Sequence, residues 1–166
     1  MQQPIKPFIW FESQAEEAMN FYVSVFPNSR IKHIERYTGD MGVPGDKELK
    51  GKVLTGIFEL NGQEFQCLDG GPLFELTGAI SFLVEFDTQE SLDAVWNQLL
   101  DGGKALQCGW VTDKFGVTWQ IVPAIMGKLM GDPKATPEQK RALMQALMPM
   151  VKLEAAKLEA AFESAK

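Results

Sequence analysis

The chain repeats itself. Ser13-Gln14-Ala15-Glu16 and Asp87-Thr88-Gln89-Glu90 are both helix-start boxes, each behind an apolar run and ahead of apolar residues at helical spacing. At one constant offset, Ala18, Phe21, Tyr22 and Val25 reappear as Leu92, Val95, Trp96 and Leu99. A further echo joins Asn61-Gly62-Gln63-Glu64-Phe65-Gln66 to Phe115-Gly116-Val117-Thr118-Trp119-Gln120, a turn and then strand residues ending in glutamine. Two copies of one strand-helix-strands unit account for both echoes. The duplication predicts an α+β fold of tandem βαβββ units, with a cavity between the copies.

Length and composition bound what such a fold can do. A chain of 166 residues suits a single domain without disulfide staples, and 45% hydrophobic with 23% charged residues is ordinary globular composition. No apolar run approaches membrane-spanning length and no basic-then-apolar start marks a secretory signal, so a cytoplasmic, non-membrane protein is expected. Cys67 and Cys108 are then expected as reduced thiols. The net charge of −6 repels phosphate backbones, and no basic stripe offsets it, which excludes nucleic acid as a partner.

Along the first copy, residues 5–12 read as a strand and Ser13 caps a helix running to about Phe26, with Glu16 reaching back to the cap. Arg30 to Tyr37 reads as a half-polar strand. Gly39 to Gly51 is glycine-rich and reads as a mobile surface loop. Asn61-Gly62 marks a type I′ hairpin between Val53–Leu60 and Gln63–Leu68, placing Phe58 opposite Phe65. The second copy begins with a strand over residues 79–86. Asp87 caps a helix to about Leu100, and residues 104–113 and 117–123 supply the remaining strands.

Residues 124–166 lie outside the duplication as a helical extension to the domain formed by residues 1–123, whose units span 5–70 and 79–123. Thr136-Pro137-Glu138-Gln139 is a cap, a first-turn proline and a capping-box glutamine. Met144, Met148, Val151, Ala155, Leu158 and Phe162 then form one apolar stripe, which Pro149 should kink or split. The stripe packs on the protein's own sheet or reaches across a homodimer.

A βαβββ unit used twice resembles the vicinal oxygen chelate superfamily, to which glyoxalase I, extradiol dioxygenases and bleomycin-binding proteins belong. Pro7-Phe8-Ile9-Trp10-Phe11, Ala15-Glu16-Glu17-Ala18, Phe21-Tyr22, Phe26-Pro27, Gln107-Cys108-Gly109-Trp110 and Trp119-Gln120-Ile121-Val122-Pro123 are similar to its PhnB-like branch, often labelled demethylubiquinone methyltransferase. The resemblance implies a glyoxalase-like curved mixed sheet and ligands drawn from the first and last strand of each unit. The corresponding positions here are Lys6 and Ile80, and Gln66 and Gln120; a slip of one residue substitutes Pro7 and Ser81. An ammonium has no lone pair, isoleucine has no donor, and amides bind divalent ions weakly, so no metal and no cofactor are expected. No glycine-rich turn leads a strand into a helix, so the common adenosyl-binding site is missing.

Strand alternation assigns the pocket wall, because residues two apart share a face. With Gln66 and Gln120 facing inward, Phe8, Trp10, Glu64, Leu68, Phe82, Val84, Thr118 and Val122 accompany them, and Gln107 and Trp110 are further ligand-binding candidates. Phe65, Cys67, Trp119 and Ile121 face the helices. His33 sits in an alternating strand and reads as half-exposed. Cys108, beside a strand glycine, is the better thiol but has no base near it in sequence. Asp69-Gly70-Gly71-Pro72 reads as a turn. The chain therefore reads as a homodimeric small-molecule binder, with two alternatives: a metal-dependent enzyme of the same superfamily, or a metal-free one using Glu64 or Glu59 as general base. Cys108 and Glu64 are the catalytic candidates of that alternative. A purely structural dimer is the third.

Overall fold

The computed structural model describes residues 4–165. The chain divides into two compact units, Met1–Leu76 and Thr77–Lys166. The first holds β1 (Phe8–Phe11), α1 (Ala15–Val25), β2 (Arg30–Arg36), α2 (Asp46–Leu49), β3 (Val53–Leu60) and β4 (Gln63–Asp69). The second holds β5 (Phe82–Phe86), α3 (Gln89–Leu100), β6 (Lys104–Ala105), β7 (Trp110–Thr112), β8 (Thr118–Pro123), α4 (Ala124–Gly131), α5 (Pro137–Leu147) and α6 (Ala155–Ser164). Their four-stranded sheets have equivalent orders, β1-β4-β3-β2 and β5-β8-β7-β6. In each, the first and last strands pair in parallel and the others antiparallel, so the fold is α+β and the duplication is structural.

Each helix covers one face of its own sheet. Ala15, Ala18, Met19, Tyr22 and Val25 are buried on α1, and Leu92, Val95, Trp96 and Leu99 on α3. Tyr22, Phe58 and Phe65 stack in series, with ring centroids 6.1 and 5.3 Å apart. Phe58 and Phe65 are direct cross-strand partners, and Asn61 and Gly62 both take positive φ (45° and 88°), as a type I′ turn requires. Gly56 lets α1 approach: a Cβ there would lie 2.3 Å from the Met19 sulfur. Phe21 is only half-buried; Met19 takes the core position beside Tyr22.

Both helix starts differ from the sequence expectation. Ser13 does not cap α1: the amide of Ala15 donates to Asp69 Oδ1 at 2.8 Å, so the cap comes from the end of β4. Glu16 pairs instead with Arg36, at 2.6 Å. In the second unit the cap is Thr88 rather than Asp87, its hydroxyl accepting from the Ser91 amide at 3.2 Å. The glycine-rich loop contains the short helix α2, the strand expected over 79–86 begins at Phe82, and the one expected over 104–113 is broken into β6 and β7 by a turn at Cys108-Gly109.

The capping box at Thr136 and Gln139 forms as expected, and the helix ends ahead of Pro149. The apolar stripe does not survive that break. Met148 is 58% exposed, and Met144 and Val151 are exposed with it. The buried cluster is Leu143, Leu153, Leu158 and Phe162, packed with Val122, Met126 and Leu129. Ending α5 at Leu147 and restarting the helix at Ala155 resets the rotational phase, so residues aligned on one uninterrupted helix diverge. Within the extension, α5 and α6 thus pack on α4 and on β8 of the second unit.

Candidate functional site

The sheet face turned away from the helix is where each unit shows polar groups among apolar ones. In the first unit, Phe8 is level with Gln66 and Trp10 with Leu68, and Ile57 and Thr55 continue the rows on β3. Phe8 is 53% exposed, whereas Ile9 and Phe11, pointing the other way, are buried. Trp10 is less open than alternation suggests. Its Nε1 donates to the Gly71 carbonyl at 2.8 Å, Phe74 meets its ring edge-on at 5.0 Å, and a Cβ on Gly70 would lie 2.1 Å from the indole. The turn after β4 is folded over this residue, and Asp69-Gly70-Gly71-Pro72 is glycine-rich for that close approach.

At the edge of the same face, Glu64 is bridged by two ammonium groups, Lys6 at 2.6 Å and Lys32. Glu59 lies 3.5 Å from Arg30 and 4.0 Å from Lys32, which continues the ladder of charges. The hydrogen bond from Lys32, and after it that from Lys6, holds the Glu64 carboxyl down at about 2. So low a value makes a weak proton acceptor, which argues against Glu64 as a general base. His33 is level with Ile57 and pairs with Glu35 at 3.3 Å, with more than half its side chain exposed.

In the second unit, Trp110 is level with Gln120, and Thr112 with Thr118, their hydroxyls 3.1 Å apart. Gln120 Nε2 donates to Ser81 Oγ at 2.8 Å. Phe82 corrects the expectation. It is level with Trp119, with ring centroids 5.4 Å apart, and Val84 is level with Ile121, so both lie on the helix-facing side. Leu83, 56% exposed, takes the place beside Gln120. The position equivalent to Lys6 is therefore Ser81 rather than Ile80, which is 76% exposed. Sequence reasoning missed Leu83, and the alternation within β5 would have found it had the first residue been assigned the other face.

The two free thiols lie in different surroundings. Cys67 is fully buried, and burial, reinforced by Asp69, pushes its thiol up to about 12. Cys108 is half-buried at positive φ (60°), its sulfur 4.0 and 3.9 Å from the carbonyls of Leu147 and Met148, and Gln107, which precedes it on the turn, is exposed. Two clefts in the second unit, of about 570 and 250 Å³, are lined by residues around Pro149 and around Pro123 respectively, and none of the expected ligand-binding residues lines either.

By the sheet register, the positions at which the resemblance implies ligands carry Lys6, Gln66, Ser81 and Gln120. Lys6 is bound to Glu64 and Gln120 to Ser81, and an ammonium, a hydroxyl and two neutral amides do not fit a divalent cation. Among the described residues, no group of three or more His, Cys, Asp or Glu side chains is placed to hold a metal ion.

Two mixed sheets of this order, each covered by one helix, define an α+β protein built from two equivalent βαβββ units. Residues 3–122 match the family model described as 3-demethylubiquinone-9 3-methyltransferase, and the chain belongs to that PhnB-like family. A PhnB protein from Bacillus cereus, described as a putative 3-demethylubiquinone-9 3-methyltransferase, is 41% identical. The match covers 74% of this chain and all of that one, with a TM-score of 0.66. A protein from Pseudomonas aeruginosa shares the fold at 22% identity and TM-score 0.60, over 73% of this chain and 96% of that one. The fosfomycin resistance protein FosX from Listeria monocytogenes, complexed with Mn(II) and sulfate, does so at 12% identity and TM-score 0.51, over 72% and 89%. No curated protein matches the chain.

Proposed function

We propose that this protein binds a small, largely apolar organic molecule against the open faces of its sheets, without a resident divalent metal. The observation that carries the reading is the content of the four family ligand positions. They hold Lys6, Gln66, Ser81 and Gln120, hydrogen-bonding groups rather than metal ligands, beside exposed Phe8, Leu83 and half-buried Trp110. Apolar surface with a few polar groups set into it is the composition of a small-molecule site. Thermal-shift and tryptophan-fluorescence screening of apolar and amphipathic organic compounds tests it. A hit should weaken in Gln66→Ala and Gln120→Ala; a hit indifferent to both variants would remove the site from these faces.

Methyl transfer, the activity in the family's description, is the second reading. The strand-to-helix junctions Glu12-Ser13-Gln14 and Asp87-Thr88 contain no glycine to cradle an adenosyl donor, which favours binding over transfer. Calorimetric titration with S-adenosylmethionine separates the two, since saturable binding supports transfer. Superfamily lyase or isomerase chemistry, with Glu59 rather than Glu64 as base, requires turnover of a candidate substrate. We further propose a homodimer, because Phe8, Leu73, Phe74, Ile80 and Leu83 are all more than half exposed. Among the described residues, no helix is long and apolar enough to cross a membrane.

A further inference from the structure

The motif Gln107-Cys108-Gly109-Trp110 is gripped by the C-terminal extension. Cys108 and Gly109 occupy successive positive-φ positions (60° and 81°), and the Trp110 amide closes the turn onto the Gln107 carbonyl at 3.2 Å. A cysteine in this left-handed conformation is strained, so surrounding structure must hold it. The holding groups are carbonyls of the segment between α5 and α6: the Cys108 amide donates to Met150 at 2.8 Å and the Gly109 amide to Val151 at 2.7 Å. Contact is close enough to demand glycine, since a Cβ at Gly109 would stand 2.8 Å from the Ile121 carbonyl and 2.9 Å from Leu153 Cγ.

The same segment is tied down at its other end. Gln89, at the start of α3, donates from Nε2 to the Leu153 carbonyl at 3.0 Å and accepts at Oε1 from the Ala155 amide at 2.9 Å. Its side chain therefore caps α6, whose own first residues offer no side-chain cap. Lys152 pairs with Asp93 on the next turn of α3 at 2.9 Å, and Leu153 is buried in the helical cluster. The match to the family model ends at residue 122, and the Bacillus cereus PhnB protein is matched over its whole length by 74% of this chain. The grip comes from outside the shared domain.

We propose that residues 150–155 are a strap through which the C-terminal helices hold the Gln107–Trp110 turn, so that the extension governs the conformation of that turn and how Trp110 is presented on the second sheet's open face. Its functional sense rests on that face being the ligand surface. The strap is built entirely within the second unit: two backbone hydrogen bonds at the turn, one buried leucine against Gly109, and one glutamine side chain at the far end. In this role Gln89 and Leu153 are positioning residues.

Amide hydrogen exchange and Cys108 alkylation by iodoacetamide, measured on the full chain as wild type, Gln89→Ala and Leu153→Ala, test the strap. The amides of Cys108 and Gly109 should be protected in the wild type. In at least one variant they should exchange at least tenfold faster, with a similar rise in Cys108 alkylation, while the Trp96 and Trp119 amides keep their rates. Cys67 is fully buried and does not compete for reagent in the folded chain. Unprotected Cys108 and Gly109 amides in the wild type overturn the proposal, as do wild-type rates at the turn in both variants. It is overturned equally if every amide of the second unit accelerates together, because the turn is then not separately governed. No ligand takes part in the measurement, so its failure is distinct from failure of the binding reading.

Discussion

The indole Nε1 of Trp119 donates to Asp113 Oδ2 at 2.8 Å, in the core of the second unit, where both residues are buried. The other carboxylate oxygen accepts from the amides of Phe115 at 2.9 Å and Val117 at 3.1 Å, which forms the turn ahead of β8. One carboxylate therefore shapes a turn and anchors the largest buried ring of its sheet. Truncation to Asp113→Ala leaves buried donors unpaired, each costing about 1–3 kcal/mol. A loss of at least about 2 kcal/mol in urea unfolding is expected, with Asp113→Asn losing less because it keeps an acceptor. A loss below about 0.5 kcal/mol for the alanine variant would show that the network carries no stability.

Asp69 caps α1 from across the sheet, and it does so at a cost in solvation. Burial is the main influence raising its pKa from 3.8, opposed by the Ala15 amide and reinforced by Glu16. A raised folded value means that the native state favours the neutral acid. Its contribution is fully present below the unfolded value and is lost as pH rises through the folded one. Asp69→Asn keeps an acceptor without the charge, so the stability difference between wild type and this variant should drift against the wild type across that window. Asp69→Ala should cost about 1 kcal/mol through loss of the cap. A pH-independent difference between wild type and Asp69→Asn refutes the charge argument.

Glu64 titrates in the opposite sense. Lys32 and Lys6 hold it at about 2, against an ordinary value of 4.5, so its stabilising contribution is present above 4.5 and is lost as pH falls through about 2. Carboxyl resonances followed by NMR should place its midpoint near that value, and Lys32→Met should raise it. A midpoint at 4.5 in the wild type would dissolve the charged bridge and restore Glu64 as a candidate base.

Trp10 should matter to folding as well as to any ligand. Gly70→Ala drives a methyl into its indole, and a displaced ring should appear as a red shift in tryptophan emission together with a lower melting temperature. Trp10→Phe, which loses the bond to the Gly71 carbonyl, should cost about 1 kcal/mol. Unchanged emission in Gly70→Ala would mean that the segment over Trp10 lifts freely.

Metal content offers the simplest check on the ligand positions. After dialysis, elemental analysis should find well below one equivalent of divalent metal per chain, and added Zn²⁺ or Mn²⁺ should leave the melting temperature unchanged. One tightly held metal would locate ligands other than Lys6, Gln66, Ser81 and Gln120.

Local rules were enough to read the duplication, the Asn61-Gly62 hairpin, the buried face of α3, that of α1 apart from Met19 and Phe21, and the cap at Thr136, because each depends on residues within a turn or two of one another. Which residues share a face on β1, β4 and β8 followed from alternation, once Gln66 and Gln120 were set on one side. The face of β5 did not. Aligning the two helix-start boxes made Phe82 equivalent to Phe8, but three residues join β1 to α1 and two join β5 to α3, and the sheet register shows that Phe11 corresponds to Phe86. One residue fewer turns every side chain of the strand over, which exchanges Phe82 for Leu83 and Ile80 for Ser81. Tertiary structure likewise decided the caps supplied from a distance, Asp69 to α1 and Gln89 to α6, because a carboxylate or amide can satisfy any helix start that the fold brings within hydrogen-bond reach. It also decided which face of the C-terminal helices is buried. Pro149 marks the break in the sequence, but the phase at which the next helix resumes is set by what Leu153 packs against.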